Sequence, residues 1–584
     1  MKFLLVILLA FLLHATPMSG QRFLKTAGKQ IVDANGKNVL LRGVGLGGWM
    51  LQEGYMLRIY KEGQQYRIRE RIEALLSKEQ TEEFYHTWLT HHTTRADIDA
   101  MKNWGFNSIR LPMHYNLYTL PAEKEPVAGA HTWLEKGFEL TDSLLAWCRA
   151  NEMYLILDLH AAPGGQGNDL NISDRDPSKP SLWESKPNQD KTIAFWRKIA
   201  ERYANEPMIA AYDIINEPNW GFEDPENDKN GLKEQRNEPL KKLLTDITMA
   251  IREMDKNHII IIEGNGWGNN YNGILENGLW DQNMVLSFHK YWNNNDLKSI
   301  ESMLRYRDKY NVPVWLGETG ENSNVWFTEA IRLLETNNIG WAWWPLKKLG
   351  HNNPLEIRSN LNYNDLADYW NGKRKNPPKE SNVYSGLLEM AVYTKFESNI
   401  IHKDVIDAMI RQPFSDATLP FKENTIRHES VIKAADYDLG KNRYAYFDTD
   451  TANYRISTGK PGTGNRGQVY RNDGVDIYQD SSRYEQYYVG NIEEGEWLKY
   501  TINVPTSTTY TLKLIVAATS AGGKLTLTGN RQLKKTITVP ATGGDKQWQA
   551  IEINNVLLEA GSQSIKISFD KGGFNFKEIQ FFIL

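Results

Sequence analysis

The sequence predicts an α/β protein built as a closed (β/α)8 TIM barrel, followed by an all-β jelly-roll sandwich. Three observations predict it. From about residue 30 to 345 short apolar runs alternate with amphipathic stretches, as strands of a parallel sheet alternate with the helices that cover it. The apolar runs number eight, the strand count of a closed parallel barrel. After about Arg427 the pattern changes to period-two alternation in short runs bounded by Gly, Asn and Pro, the mark of antiparallel strands. At 584 residues the chain also exceeds one ordinary core, so two domains are expected.

In chain order, Lys2 precedes an apolar run over 3–13 and then small and polar residues through Gly20. This run is too short to span a bilayer and has the layout of a secretory signal peptide over 1–20. A secreted or periplasmic protein follows, with a barrel domain over 21–421 and a sandwich over 428–584. No Cys follows the run to carry a lipid anchor, and no later segment is long and apolar enough for a membrane span. The lone Cys148 sits in a helical pattern and forms no intrachain disulfide.

The eight runs expected as strands are 39–44, 108–112, 154–159, 210–215, 258–263, 284–288, 314–317 and 339–344. Helical patterns lie between them. Over 190–203, for example, Ile193, Trp196, Ile199, Ala200 and Tyr203 recur at helical spacing. An open doubly wound sheet is the competing topology, but the glycine-rich run 43–48 does not have the spacing of a dinucleotide-binding loop. The segments 53–83 and 164–188 are longer than minimal connections, and such loops shape substrate sites. Residues 352–421 read as the closing helix with an elaborated last loop, including a helix over 383–396.

Composition narrows the partners. The 68 basic and 72 acidic residues give a formal net charge of -4, without the basic excess that nucleic acid requires. The 19 Trp suit sugar faces, whose C–H surface an indole buries by stacking. His86, His91 and His92 do not share a helix face, so no metal site is expected from them.

Polar residues at the strand ends point to chemistry. Glu217 and Glu318 each close an apolar run, and parallel barrels place reactive groups at the C-terminal ends of their strands. Two carboxylates flanking a sugar are what glycosidic cleavage requires, one to protonate the leaving oxygen and one to act at the anomeric carbon. Arg110, His160, Asn216, His289, Tyr291 and Trp344 end other runs or adjoin them. Each alone has a plain structural explanation, but together they place a cation, two imidazoles, an amide, a phenol and an aromatic floor on one barrel face.

The ordered set Arg110, His160, Asn216-Glu217-Pro218, His289-Lys290-Tyr291, Glu318 and Trp344 resembles glycoside hydrolase family 5 over about 32–349. The runs 41–49 and 158–166 are most similar to its exo-1,3-β-glucanase branch. The resemblance implies Glu217 as acid/base, Glu318 as nucleophile, Asn216 as partner of the sugar 2-hydroxyl and Trp344 as a stacking platform. Arg110 would hold Glu318 ionised, with Tyr291 and His289 orienting the carboxylates. A nucleophile must stay charged and an acid must keep its proton near neutrality, so these roles are physically consistent. Retention is implied, with carboxyl groups about 5 to 5.5 Å apart. No cofactor is called for, and the partner expected is a polysaccharide or oligosaccharide, met by a monomer. Exo or endo action stays open, as does another β-linked polysaccharide (cellulose, mannan or xyloglucan). A carbohydrate-binding protein with a dead barrel is the non-enzyme alternative, and it would show a damaged catalytic set.

The tail over about 428–584 resembles carbohydrate-binding module family 6 in its runs 435–440, 469–477, 495–501 and 572–576. Tyr470 and Asn575 match that family's stacking aromatic and hydrogen-bonding amide. The second aromatic of that cleft is replaced by Asp545, which implies weak, altered or lost binding there. The structural calcium site is also expected to be absent, because its acidic positions read Lys433, Ala435 and Lys577 and an ammonium cannot ligate a cation.

Overall fold

A computed structural model describes residues 23–450, 464–480, 486–530 and 533–584. The expected signal peptide lies outside the described residues. Eight parallel strands close a barrel: β1 Arg42–Gly45, β2 Ser108–His114, β3 Tyr154–Ala161, β4 Ile209–Asp213, β5 Ile259–Glu263, β6 Met284–Lys290, β7 Val314–Gly320 and β8 Gly340–Trp344. β8 pairs with β1 through Trp341 and Arg42, which closes the ring. Buried Leu41, Ile156, Ala211, Ile261 and Trp315 help fill its lower interior, so the barrel is a packed core rather than a pore.

Helices cover the outside because their apolar residues recur on one side. In the helix Glu238–Met254, Leu240, Leu243, Leu244, Ile247 and Ile251 are buried, a stripe at the three- and four-residue spacing of a helix face. The helix expected over 190–203 runs Lys186–Tyr203. It starts earlier because the Ser185 side chain caps it and a proline occupies its first turn.

Several strands run two or three residues past the expected ends, to His114, Ala161, Lys290 and Gly320, and the first and fourth strands are shorter than expected for local reasons. β1 begins at Arg42 rather than at residue 39. Asn107 accepts from the Arg42 amide at 2.7 Å and donates to the Leu40 carbonyl at 2.8 Å, while the Val39 amide donates to Ile31 of an N-terminal hairpin. The backbone before Arg42 is therefore satisfied away from the barrel ladder. β4 ends at Asp213, and the chain then turns through Glu217, a non-glycine residue at φ 42°.

The segment expected as a long loop at 53–83 contains the helix Gln65–Glu73 and the start of Lys78–His91. They pack with Leu361–Trp370 and Glu380–Tyr393 into a satellite core holding Ile68, Trp88, Leu366 and Leu387. This second small core fixes the loops above one side of the barrel.

The sandwich has two antiparallel sheets. One runs Ile477–Gln479, Tyr487–Val489, Asn575–Ile583, Thr508–Ala518, Gly544–Leu558, with Ser430–Lys433 also against Asn575–Ile583. The other runs Tyr446–Phe447, Trp497–Val504, Gly561–Lys571, Gly523–Thr528, Lys534–Val539. Along Trp497–Val504 the alternate residues Leu498, Tyr500, Ile502 and Val504 are buried, the inward face that period-two patterning predicts.

Barrel and sandwich meet through a buried amide clasp. The Asn472 amide donates to Asp404 Oδ2 at 2.7 Å, and its Nδ2 donates to the Asn322 carbonyl at 2.7 Å. The Asn324 amide donates to the Asn472 carbonyl at 3.0 Å, and its Nδ2 reaches Asp404 at 2.8 Å and Asp473 at 3.1 Å. These residues are all buried, where each satisfied polar contact is costly to break. No helix among the described residues is long and apolar enough to cross a membrane.

Candidate active site

At the C-terminal mouth of the barrel, Arg110 on β2 is wholly buried and is the hub of the site. Its Nη1 donates to Glu318 Oε1 at 2.5 Å and lies 3.2 Å from Asp158. Its Nη2 donates to Asp213 at 2.8 Å, Asn216 Oδ1 at 2.8 Å and Glu263 Oε1 at 3.1 Å. A guanidinium offers five donors in a fixed plane, so one side chain orders four carboxyl groups.

Glu318 lies within β7, and the Tyr291 hydroxyl, one residue past β6, donates to its Oε2 at 2.8 Å. Both carboxylate oxygens thus hold a donor. Glu217 sits differently, in the left-handed turn after β4, a conformation that costs a non-glycine residue about 1 to 3 kcal/mol. Its own amide donates to Glu263 Oε2 at 2.7 Å, which holds the turn in place. Burial pushes the Glu217 carboxyl up to about 7, against the pull of His289, whose Nδ1 lies 2.6 Å from Glu217 Oε1.

His289 and His160 have opposite electrostatic surroundings. Burial disfavours the charged His289, but Glu263 at 3.2 Å, Glu318 at 3.5 Å and Glu217 outweigh it and raise its pKa well above the ordinary value. Burial lowers His160 to about 3, so it is neutral. With its Nδ1 proton on Asp158 at 2.7 Å, its Nε2 accepts from Asn216 Nδ2 at 3.3 Å. Asp158 and His160 are two apart on β3, which turns them to the same side. The Asn216 oxygen is taken by Arg110 and one of its N–H groups by His160, leaving one N–H for a ligand.

Trp344 at the end of β8 stacks on His160 with centroids 4.9 Å apart and planes at 11°, and its Nε1 donates to the Tyr55 hydroxyl at 3.0 Å. The glycine-rich run 43–48 has its role here. A Cβ at Gly45 would lie 2.6 Å from the indole and one at Gly47 2.8 Å, so the missing side chains make room for the ring.

Of these side chains, Tyr55, His160, Glu217, His289, Tyr291, Glu318 and Trp344 line a cavity of about 540 Å³, with Glu53, Asp169, Trp267, Trp292 and Glu321 also on its wall, while Arg110 and Asn216 lie buried behind it. The structure brings together Arg110, His160, Asn216, Glu217, His289, Tyr291, Glu318 and Trp344. It does not bring Tyr470 and Asn575 to this cavity or into contact with each other. Tyr470 stacks on Tyr487 at 4.4 Å, whereas Asn575 donates to the Asp545 carbonyl at 2.7 Å. At the position expected to lack calcium, Lys577 donates to Asp480 at 2.9 Å.

Sequence reasoning misses Asp158, Asp213 and Glu263 under the site, and Glu53 and Tyr55 beside it. The first three carry a signal: each is an acidic residue inside an apolar strand run, and a buried carboxyl needs a partner. Burial pushes Asp158 and Asp213 well up despite Arg110. Glu263 is also opposed by burial, but His289, Arg110 and the Glu217 amide bring it below its ordinary value. Single oxygens or nitrogens of Glu217, His289 and Glu318 lie within 4.8 Å of one another, a spacing that alone would admit a divalent cation. Arg110, Tyr291 and His289 already bond these carboxylates, supplying the positive charge and donors that a cation would otherwise bring.

A basic limb in the pH profile of kcat/KM should fall near pH 7, where Glu217 loses its proton. Positive charge on His289 favours the ionised Glu217, so His289→Gln should move that limb upward, as an initial-rate pH series would show. An unmoved or lowered limb would show that His289 does not set the Glu217 titration.

Residues 72–350 match the family model described as Cellulase (glycosyl hydrolase family 5), and residues 468–582 match Carbohydrate binding module (family 6). Among curated relatives, the chain is 26% identical over 378 residues to a β-xylosidase of Phanerodontia chrysosporium, covering 59% of this chain and 75% of that one. It is 27% identical over 320 residues to endoglucanase C of Acetivibrio thermocellus, covering 44% and 84%. It is 28% identical over 186 residues to probable glucan 1,3-β-glucosidase A of Aspergillus niger, covering 31% and 42%.

Proposed function

Since the barrel is a glycosyl hydrolase family 5 domain and the C-terminal sandwich holds a family 6 carbohydrate-binding module, we propose a secreted retaining β-glycosidase that hydrolyses β-1,3-linked or mixed-linkage glucan. Glu318 attacks the anomeric carbon while Glu217 protonates the departing oxygen. Once Glu318 is esterified its charge is gone, Glu217 more readily stays ionised, and it takes a proton from the water that releases the sugar. The observation that carries this reading is the carboxylate pair, with one oxygen of each within 4.8 Å of the other. Such closeness suits a nucleophile and an acid about 5 to 5.5 Å apart, not an inverting pair separated by about 6.5 to 9.5 Å.

The glucan assignment draws on the relative named glucan 1,3-β-glucosidase, and export on the N-terminal apolar run. Relatives named endoglucanase and β-xylosidase favour a second reading, another β-linked polysaccharide handled by the same machinery. Product analysis on laminarin, lichenan, cellulose, mannan and xyloglucan separates them. Sugar release from laminarin or lichenan is expected, with products first formed in the β configuration. Release from mannan, xyloglucan or cellulose alone would replace the glucan reading with the second one.

A further inference from the structure

We infer that the cavity between barrel and sandwich is a remote subsite for the same polysaccharide chain, built jointly by the two domains and fed through the catalytic cleft. The inference rests on the polysaccharide hydrolase reading above and adds a place where the chain extends beyond the reacting bond. This cavity has a volume of about 1050 Å³, larger than the 540 Å³ of the catalytic one, and the two share Tyr55 and Glu321 in their walls. The two cavities therefore adjoin at Tyr55 and Glu321.

Its two walls come from different domains. The barrel contributes Tyr60, which is 68% exposed, and the sandwich contributes the stacked pair Tyr470 and Tyr487, with centroids 4.4 Å apart and planes at 27°. Aromatic faces bury the C–H surface of a pyranose. Charges of both signs line the remainder, Arg58 and Lys348 against Glu321 and Glu356. Such a mixture suits a neutral ligand rich in hydroxyls, and it does not select an anion or a cation.

The platform is fixed before any ligand arrives. The Tyr470 hydroxyl donates to Asp436, Phe421 meets its ring edge-on at 5.7 Å, and Lys422 lies 5.5 Å over it. Tyr470 also adopts φ 71°, a left-handed conformation that its surroundings impose. Two residues later, Asn472 makes the clasp to Asn322, Asn324 and Asp404. One short loop therefore both presents the aromatic and bolts it to the barrel at a set distance from the cleft. A binding module acting at a distance would need no such coupling.

The test compares kcat/KM on laminarin or barley β-glucan with that on an aryl β-glucoside, in full-length protein. Tyr487→Ala should lower the polymer-to-short-substrate ratio about tenfold, the equivalent of about 1.4 kcal/mol, and Tyr487→Phe should restore it. Tyr60→Ala, at an exposed position that does not threaten folding, should lower the ratio in the same direction. An unchanged ratio in Tyr60→Ala, or equal losses on both substrates in Tyr487→Ala, would overturn the joint subsite. Affinity electrophoresis of Glu318→Gln protein in laminarin and in barley β-glucan, with and without Tyr487→Ala, reads binding apart from turnover. Should the wild type cleave neither polymer, the glucan reading fails. Retardation by either polymer that Tyr487→Ala weakens would still support the subsite, and retardation that it leaves intact would overturn it.

Discussion

Glu318→Gln should abolish turnover, lowering kcat by about 10⁴-fold or more while the protein still binds its substrate. The amide matches the carboxylate in shape, but it cannot form the ester on which double displacement depends. Arg110 and Tyr291, which meet the carboxylate at 2.5 and 2.8 Å, would then face a neutral group. A smaller variant sharpens the test. In Glu318→Ala, added azide can enter the vacated space and attack the anomeric carbon once, giving an α-glycosyl azide from a β-linked aryl substrate. Proton NMR of the product reads the configuration. Substantial activity in Glu318→Gln, or a β-azide from Glu318→Ala, would take the nucleophile role away from Glu318.

Glu217→Ala should lose about 10² to 10⁴-fold on glucan, the contribution ordinarily made by a positioned proton donor. The loss should depend on the leaving group. An aryl glycoside that departs without protonation forms the ester at near the normal rate and then stalls, because no base remains to activate water. Azide needs no base, so it should restart turnover, and two successive inversions should give the β-azide. The basic limb near pH 7 should vanish with the carboxyl that produces it. Equal losses on glucan and on an activated aryl glycoside, without azide rescue, would assign Glu217 a structural role instead.

Much of this site is legible because a barrel strand has only one end at which polar residues are useful. Arg110, His160, His289 and Glu318 stand out as polar groups in apolar runs whose neighbours are buried. Asp158, Asp213 and Glu263 share that signature but lie deeper, and their role as partners of Arg110 depends on which strands are adjacent. The register that pairs Asp158 with Asp213 supplies this information. Glu53 and Tyr55 reach the cleft from a segment with no strand period. Their placement follows from the packing of helices Gln65–Glu73 and Lys78–His91 against the closing helices, which no local pattern encodes. The amide clasp is still less visible, since its asparagines are ordinary loop residues until two domains bring them together.

That clasp changes what kind of appendage the sandwich is. A module on a slack tether sweeps a volume, and it helps by raising the local concentration of polymer around an enzyme that can approach from any side. Here buried bonds among Asn322, Asn324, Asp404 and Asn472 tie the sandwich to the barrel. In the joint-subsite reading it works as the fixed jaw of a vice, holding a polysaccharide strand in one orientation and at one offset from the scissile bond. The same rigidity joins the two cores mechanically, so heating should melt them in one calorimetric transition rather than two.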